Sequence, residues 1–206
     1  MTAIVTAQPP FSPAAERNRR PILAVLRRHL GSGRRVLEIG AGTGQHARFF
    51  AAELPGIEWQ ASDVEANLPG LAAGLAAADG PAMPAPLVLD VLRDQWPAGR
   101  FDAVYSANTA HIMSWAGVCA MLEGVARVLE PGGLLLIYGP FSRGGEQTSE
   151  SNRRFDRQLR GRDAAMGIRD VEDMDREAAR HGLEREAEYA MPANNLLLVW
   201  QRRRAD

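Results

Sequence analysis

The sequence predicts an α/β fold, a mostly parallel sheet of seven strands covered by helices on both faces and ended by an antiparallel hairpin. Three observations predict it. Short apolar strands alternate with amphipathic helices from residue 35 to about residue 138, which implies a parallel sheet. A glycine-rich turn, Gly40-Ala41-Gly42-Thr43-Gly44, joins the first strand to the first helix of that series. Two late strands are linked by only Ala190–Asn195, too few residues for a parallel crossover, so that pair must be antiparallel.

Taken in order, residues 1–12 are proline-rich and read as a flexible arm, with 13–206 forming one domain. Ser12-Pro13 is a helix start, because serine caps free amides and proline suits the first turn. Pro21 restarts or kinks that helix; Ile22, Leu23, Leu26 and Leu30 continue its apolar face up to Gly31. Strand Arg35–Ile39 and helix Gln45–Glu53 follow, the helix turning Phe49 and Phe50 inward. Next come strand Ile57–Ala61, a helix from Val64 to about Ala78, strand Pro86–Leu89 and strand Phe101–Ala107. Helix Trp115–Leu129 closes at Glu130-Pro131-Gly132-Gly133, and Leu134–Tyr138 is a fully apolar fifth strand. Helix Val171–His181 and strands Leu183–Tyr189 and Leu196–Gln201 complete the series. Gly139–Asp170 is long for a connection, and such segments in compact domains are often lids. Within it, Ser151 would cap a short helix pairing Phe155 with Leu159 among Arg153, Arg154, Arg157, Arg160 and Arg162. That helix is either a substrate lid with cationic reach or a solvated surface element.

Composition narrows the function classes. The net charge of −1 lacks the basic excess expected of a nucleic-acid binder. All 24 basic residues are arginine, a chain-wide bias that marks no particular site. No apolar run approaches a membrane span, the N-terminus does not read as a secretory signal, and a cytoplasmic address is expected. The single cysteine, Cys119, cannot form an internal disulfide. No His/Asp/Glu cluster has metal-ligand spacing, so no metal is expected.

The glycine turn lets a ligand approach the backbone, and Gly40, Ala41, Gly42 and Gly44 are its candidate contacts. Related turns serve several nucleotide cofactors. The dinucleotide pattern G-x-G-x-x-G would need glycine at 45, where this chain has Gln45, and a phosphate-binding Walker loop would need a lysine. Glu38 lies inside an otherwise apolar strand, and a buried carboxylate asks for a partner. A pyrophosphate would be repelled there, whereas the ammonium and sulfonium of S-adenosylmethionine (SAM) would be welcome; a glutamate that merely caps nearby amides is the plainer alternative. Asp63, nineteen residues beyond Gly44, can accept hydrogen bonds from ribose hydroxyls or cap the next helix. Asp90 ends the third strand where an adenine amine would lie, with Val91 or Leu92 to pack on the ring, or is a turn residue. After the fourth strand, Asn108 could contact the methionine moiety. His111 could serve as a general base, or be an ordinary loop histidine. The sequence Ser106-Ala107-Asn108-Thr109-Ala110-His111 lacks the prolines and aromatic found in enzymes that methylate exocyclic amines of bases.

Glu38–Gly44, with acidic residues after strands two and three, resembles the SAM-binding motif of class I SAM-dependent methyltransferases, whose Rossmann-like fold has the layout expected above. A narrower resemblance covers nearly the whole chain. Ser12–Asn18, Gly42–His46, Tyr138-Gly139-Pro140, Ser151-Asn152 with Phe155-Asp156 and Leu159-Arg160, and Met191–Asn195 resemble the methyltransferase-like protein 26 family. That family has long been described only as a domain of unknown function, so the resemblance implies fold and cofactor and names no acceptor. The chain departs from it at Met166-Gly167, where tryptophan-glycine is usual. The expected activity is methyl transfer from SAM to a small molecule. The alternatives are a nicotinamide-dependent oxidoreductase and a SAM- or partner-binding protein without catalysis.

Overall fold

The computed structural model describes residues 11–76, 81–93 and 96–204. Most of the expected arm, 1–12, therefore lies outside the described residues. Helix α1 (Pro13–His29) starts on Ser12, whose hydroxyl accepts from the Ala15 amide, and runs on past Pro21. Strand β1 (Arg35–Ile39) leads through the glycine turn into α2 (Gln45–Glu53), then β2 (Glu58–Asp63). The expected long helix from Val64 is instead a 3-10 turn, Glu65–Asn67, followed by a short α3 (Leu68–Leu75). The Asp63 carboxylate explains the break, because it accepts from the Val64 amide and the Asn67 side chain and holds the turn apart from the helix that Pro69 begins.

Strands β3 (Leu87–Val88) and β4 (Phe101–Ala107) precede α4 (Trp115–Val128), which Ser114 caps. Strand β5 runs from Leu129 to Arg143, longer than the expected Leu134–Tyr138 at both ends. Its tail pairs with two-residue strands β6 (Glu146–Gln147) and β7 (Arg169–Asp170), so among the described residues the sheet has nine strands rather than seven. Between them lies α5 (Glu150–Arg162), capped by Ser149 and not by Ser151. The Ser151 hydroxyl is engaged elsewhere, accepting from the Asn194 side chain across the molecule. Helix α6 (Val171–Arg180) and strands β8 (Leu183–Met191) and β9 (Asn195–Arg202) end the described chain.

The main path of the sheet is β3-β2-β1-β4-β5-β9-β8. Strands β1 to β5 are mutually parallel along it, and β9 runs antiparallel to both β5 and β8. The α/β class, the mostly parallel sheet and the C-terminal hairpin are thus as expected. Period-two alternation sends side chains to two separate cores. Val36, Tyr105, Leu136 and Val199 join Ile22 of α1, Phe50 of α2 and Leu71 of α3 on one face. Leu37, Val104, Leu135 and Leu198 join Val118 and Leu122 of α4 and Met174 of α6 on the other. Burial on both faces is why these strands read as unbroken apolar runs. Chain direction across the sheet reverses between β1 and β4, and a crevice opens beyond the carboxyl ends of strands at such a point. No described helix is long and apolar enough to cross a membrane.

Candidate cofactor cleft

A cavity of about 270 Å³ occupies that crevice. Ile39 and Gly40 line it from β1, Asp63, Val64 and Asn67 from the end of β2, and Asp90, Val91 and Leu92 from the end of β3. The opposite wall is Thr109, Ile112, Met113 and Ser114, from the loop between β4 and α4. The surface is mostly apolar, with two carboxylates placed at one side, and Leu92 and Ile112 are exposed at its mouth.

The glycine turn is built for close contact. Gly40 has φ +72°, which side-chain-bearing residues rarely adopt. A Cβ there would also stand 2.6 Å from the Thr109 hydroxyl oxygen, so the glycine permits the β4–α4 loop to close the cavity. Hydrogen bonds pin the turn. Ser62 Oγ donates to the Glu38 carbonyl at 2.6 Å, and Ser106 Oγ donates to the Ile39 carbonyl at 2.9 Å. The Ala41 amide donates to the Ser62 carbonyl at 3.0 Å. The Gly42 amide donates to Asp63 Oδ2 at 2.7 Å, while Asp63 Oδ1 accepts from the Val64 amide and Asn67 Nδ2, each at 2.8 Å. Asp63 is therefore both a cavity wall and the fastener between glycine turn and 3-10 turn. Asp90 accepts from the Leu92 amide at 3.1 Å and pairs with Arg93.

Of the residues singled out from the sequence, Gly40, Asp63, Asp90, Val91 and Leu92 meet in the cavity wall. Ala41, Gly42 and Gly44 shape the turn behind it, Gly44 preceding α2. Glu38 is buried beneath the turn, where its carboxylate accepts from the Trp59 indole at 2.7 Å. Burial is the main reason its pKa rises to about 7, the indole bond opposing and the Asp63 charge adding to it. Asn108 holds φ +58°, and its amide donates to the Tyr138 carbonyl at 2.8 Å. His111 is buried with its ring edge-on to Phe155 at 5.2 Å. Burial, then the Arg169 charge, lowers its pKa to about 4, so the imidazole is neutral near pH 7. Thr109, in the stretch after the fourth strand, lines the cavity too, while sequence reasoning missed Asn67, Ile112, Met113 and Ser114; the capping serine before α4 was the one local signal that the loop turns there.

Glu38 gives the protein a testable pH dependence. A carboxyl whose folded pKa lies above its unfolded value stabilises the fold below about pH 4.5, and that contribution is lost as pH rises through about 7. Glu38→Gln should therefore gain on the native protein progressively between those values, by up to about 3 kcal/mol. Thermal melts of both proteins across pH 4.5–8 check this; a constant difference would contradict it.

Residues 9–202 match the family described as a protein of unknown function, DUF938. The chain belongs to that family. Its fold is shared with solved methyltransferases. An O-methyltransferase family protein from Burkholderia thailandensis superposes with TM-score 0.78 at 18% identity, covering 91% of this chain and 57% of that one. Human N-acetylserotonin methyltransferase in complex with SAM gives 0.77 at 16% identity, over 93% of this chain and 53% of that one. The chain thus spans about half the length of these two proteins. A putative methyltransferase solved with the Haloferax volcanii Trm112 activator gives 0.71 at 17% identity, with 92% of both chains covered. This is the Rossmann-like class I methyltransferase fold.

Proposed function

We infer that this DUF938 protein is a SAM-dependent methyltransferase acting on a small molecule. The observation that carries the reading is the cleft at the sheet's reversal point, apolar on its walls and edged by Asp63 and Asp90, in a fold that human N-acetylserotonin methyltransferase uses with SAM. Asp63 would accept from ribose hydroxyls, Asp90 from the adenine amine, and Val91 would pack on the ring. Leu92 and Ile112 offer apolar contact at the mouth. Gly40, Ala41, Gly42 and Gly44 would carry the backbone past the methionine half, with Asn108 reaching it from β4. Glu38 would act from beneath the turn, its acidity set by burial rather than by cleft solvent.

SAM supplies a methyl carbon already activated by sulfonium, so the protein's task is alignment and exclusion of water. An acceptor lone pair would form the new bond to that carbon as the carbon–sulfur bond breaks with its electrons to sulfur, and the acceptor's proton would have to leave. His111, on the loop after β4, would be the candidate to take it, its imidazole neutral near pH 7 but made a weaker base by burial and the Arg169 charge. The segment 139–170, with α5, would cover the acceptor. The stretches resembling the methyltransferase-like protein 26 family support membership of that group. Asn18 and His46 bond at 2.7 Å, and Asn152 donates to the Asn194 carbonyl at 3.1 Å.

Isothermal calorimetry tests the reading. SAM and its demethylated product should bind with micromolar affinity, and NAD and NADP should not. NAD binding without SAM binding would instead favour an oxidoreductase. Methyl transfer from labelled SAM into a metabolite extract should follow and should fall about a hundredfold or more in His111→Asn. SAM binding without any transfer would leave a binding protein.

A further inference from the structure

Arg169, on β7, is a buried cation whose three hydrogen bonds all run to backbone carbonyls. Its Nε donates to the Ala110 carbonyl at 3.0 Å, and its Nη2 donates to the carbonyls of Met113 and, at 2.9 Å, Ala165. Burying a guanidinium in this way is costly, so the sites it joins matter. Ala110 and Met113 flank His111 on the β4–α4 loop, which forms one wall of the cleft; Ala165 belongs to the turn after α5. A second bond repeats the link, from the Gly167 amide to the His111 carbonyl at 2.9 Å. Phe155 of α5 closes on the imidazole from the same side.

We propose that Arg169 is a positioning residue, which clamps the loop bearing His111 to the segment bearing α5 and holds that imidazole in place against Phe155. The proposal rests on the methyltransferase reading only for what the imidazole does. Arg169 places a positive charge against the imidazole and opposes its protonation. Arg160 and Asp156 of α5 bear on Arg169 in turn, the first opposing its charge and the second favouring it. Asp156 also ties the clamp to α5, accepting from the Ile168 amide at 2.7 Å and from Arg160 at 2.9 Å. The cleft wall and the covering segment therefore move together or not at all.

Two measurements on the full chain test this without any activity. In an NMR titration of the histidine ring protons, with His111 assigned by its loss in His111→Asn, Arg169→Met should shift the His111 midpoint upward. Arg169→Lys keeps the charge and should leave the midpoint near its native value. In hydrogen exchange, amides of 108–114 and 163–168 should lose about tenfold protection together in both variants, because lysine cannot bridge three carbonyls. Where Arg169→Met does not fold, Arg169→Gln, also uncharged, takes its place. An unchanged midpoint in the uncharged variant, or exchange that rises in one segment alone, overturns the proposal. A native protein that neither binds SAM nor transfers methyl would sink the methyltransferase reading while leaving these two measurements decisive for the clamp.

Discussion

Replacing Asp63 with alanine is expected to weaken SAM binding at least a hundredfold and to lower the melting temperature as well. The carboxylate accepts three hydrogen bonds, from Gly42, Val64 and Asn67, and lines the cleft while 6% exposed. Bonds to a charged acceptor contribute about 1.5–3 kcal/mol each, and leaving buried donors unpaired costs more than the bond itself was worth. Each 1.4 kcal/mol lost from binding is tenfold in affinity. Alanine releases the glycine turn and the 3-10 turn together and removes the acceptor proposed for the ribose. Asparagine keeps one oxygen and the shape, so Asp63→Asn should lose only about tenfold and remain folded by circular dichroism. Calorimetry on both variants decides the matter; native affinity in Asp63→Ala would remove this carboxylate from the cofactor site.

The second large effect comes from a single methyl group, that of Gly74→Ala. Gly74, on α3, is the point where that helix meets the glycine turn, and a Cβ there would lie 2.1 Å from the Thr43 carbonyl oxygen. The obstacle is backbone, so no rotamer relieves it, and α3 must retreat or the turn must deform. Leu71 and Leu75 of the same helix pack against Gly44 and would move with it. Overpacking of this kind costs about 1–3 kcal/mol, which for a chain of this size is a fall of roughly 5 °C in melting temperature. SAM affinity should drop about tenfold with it. Gly161→Ala is the control, because nothing stands within 4 Å of a Cβ at that position of α5; it should be neutral or slightly stabilising. Equal melts for the two variants would show that α3 does not brace the turn.

The fold was largely legible because its central strands are buried on both faces. Val36-Leu37, Val104-Tyr105 and Leu134–Tyr138 could hardly be anything other than interior strands once helices separated them. Where reading failed, a tertiary contact had overridden a local signal. Glu130-Pro131-Gly132-Gly133 looks like a turn, yet β5 begins at Leu129 beside Phe101 of β4. Strands β6 and β7 have no periodicity to find: Asp170 gathers them to β5 by accepting from Ser142 Oγ at 3.0 Å and the Gly145 amide at 2.8 Å. Of two nearby serines, Ser149 caps α5, accepting from the Asn152 amide, while the Ser151 hydroxyl accepts from Asn194.

At the site, Gly40, Asp63, Asp90 and Val91 carried readable signals because strand ends and turn residues are local features. The part of the wall formed by Ile112 and Met113 was not readable, since it depends on how the β4–α4 loop folds over Gly40. Glu38 stands out in the sequence because a carboxylate inside an apolar strand is costly to bury. The partner the structure reveals is the Trp59 indole, brought near by the pairing of β1 with β2.

The position of β9 has a kinetic consequence. It lies between β5 and β8 in the sheet although it follows both in the chain. While the polypeptide emerges from the ribosome, the open edge of β5 must wait through α5, β7, α6 and β8 before its neighbour exists. Strand β8 has no partner on the main sheet until then. Leu197, Leu198, Val199 and Trp200 of β9, all fully buried at the end, complete both cores at once. Such late, distant pairing slows folding and leaves an unpaired strand edge exposed to other chains. Completion of the described sheet is therefore gated by β9, and the parallel half can form well before the edge of β5 is covered.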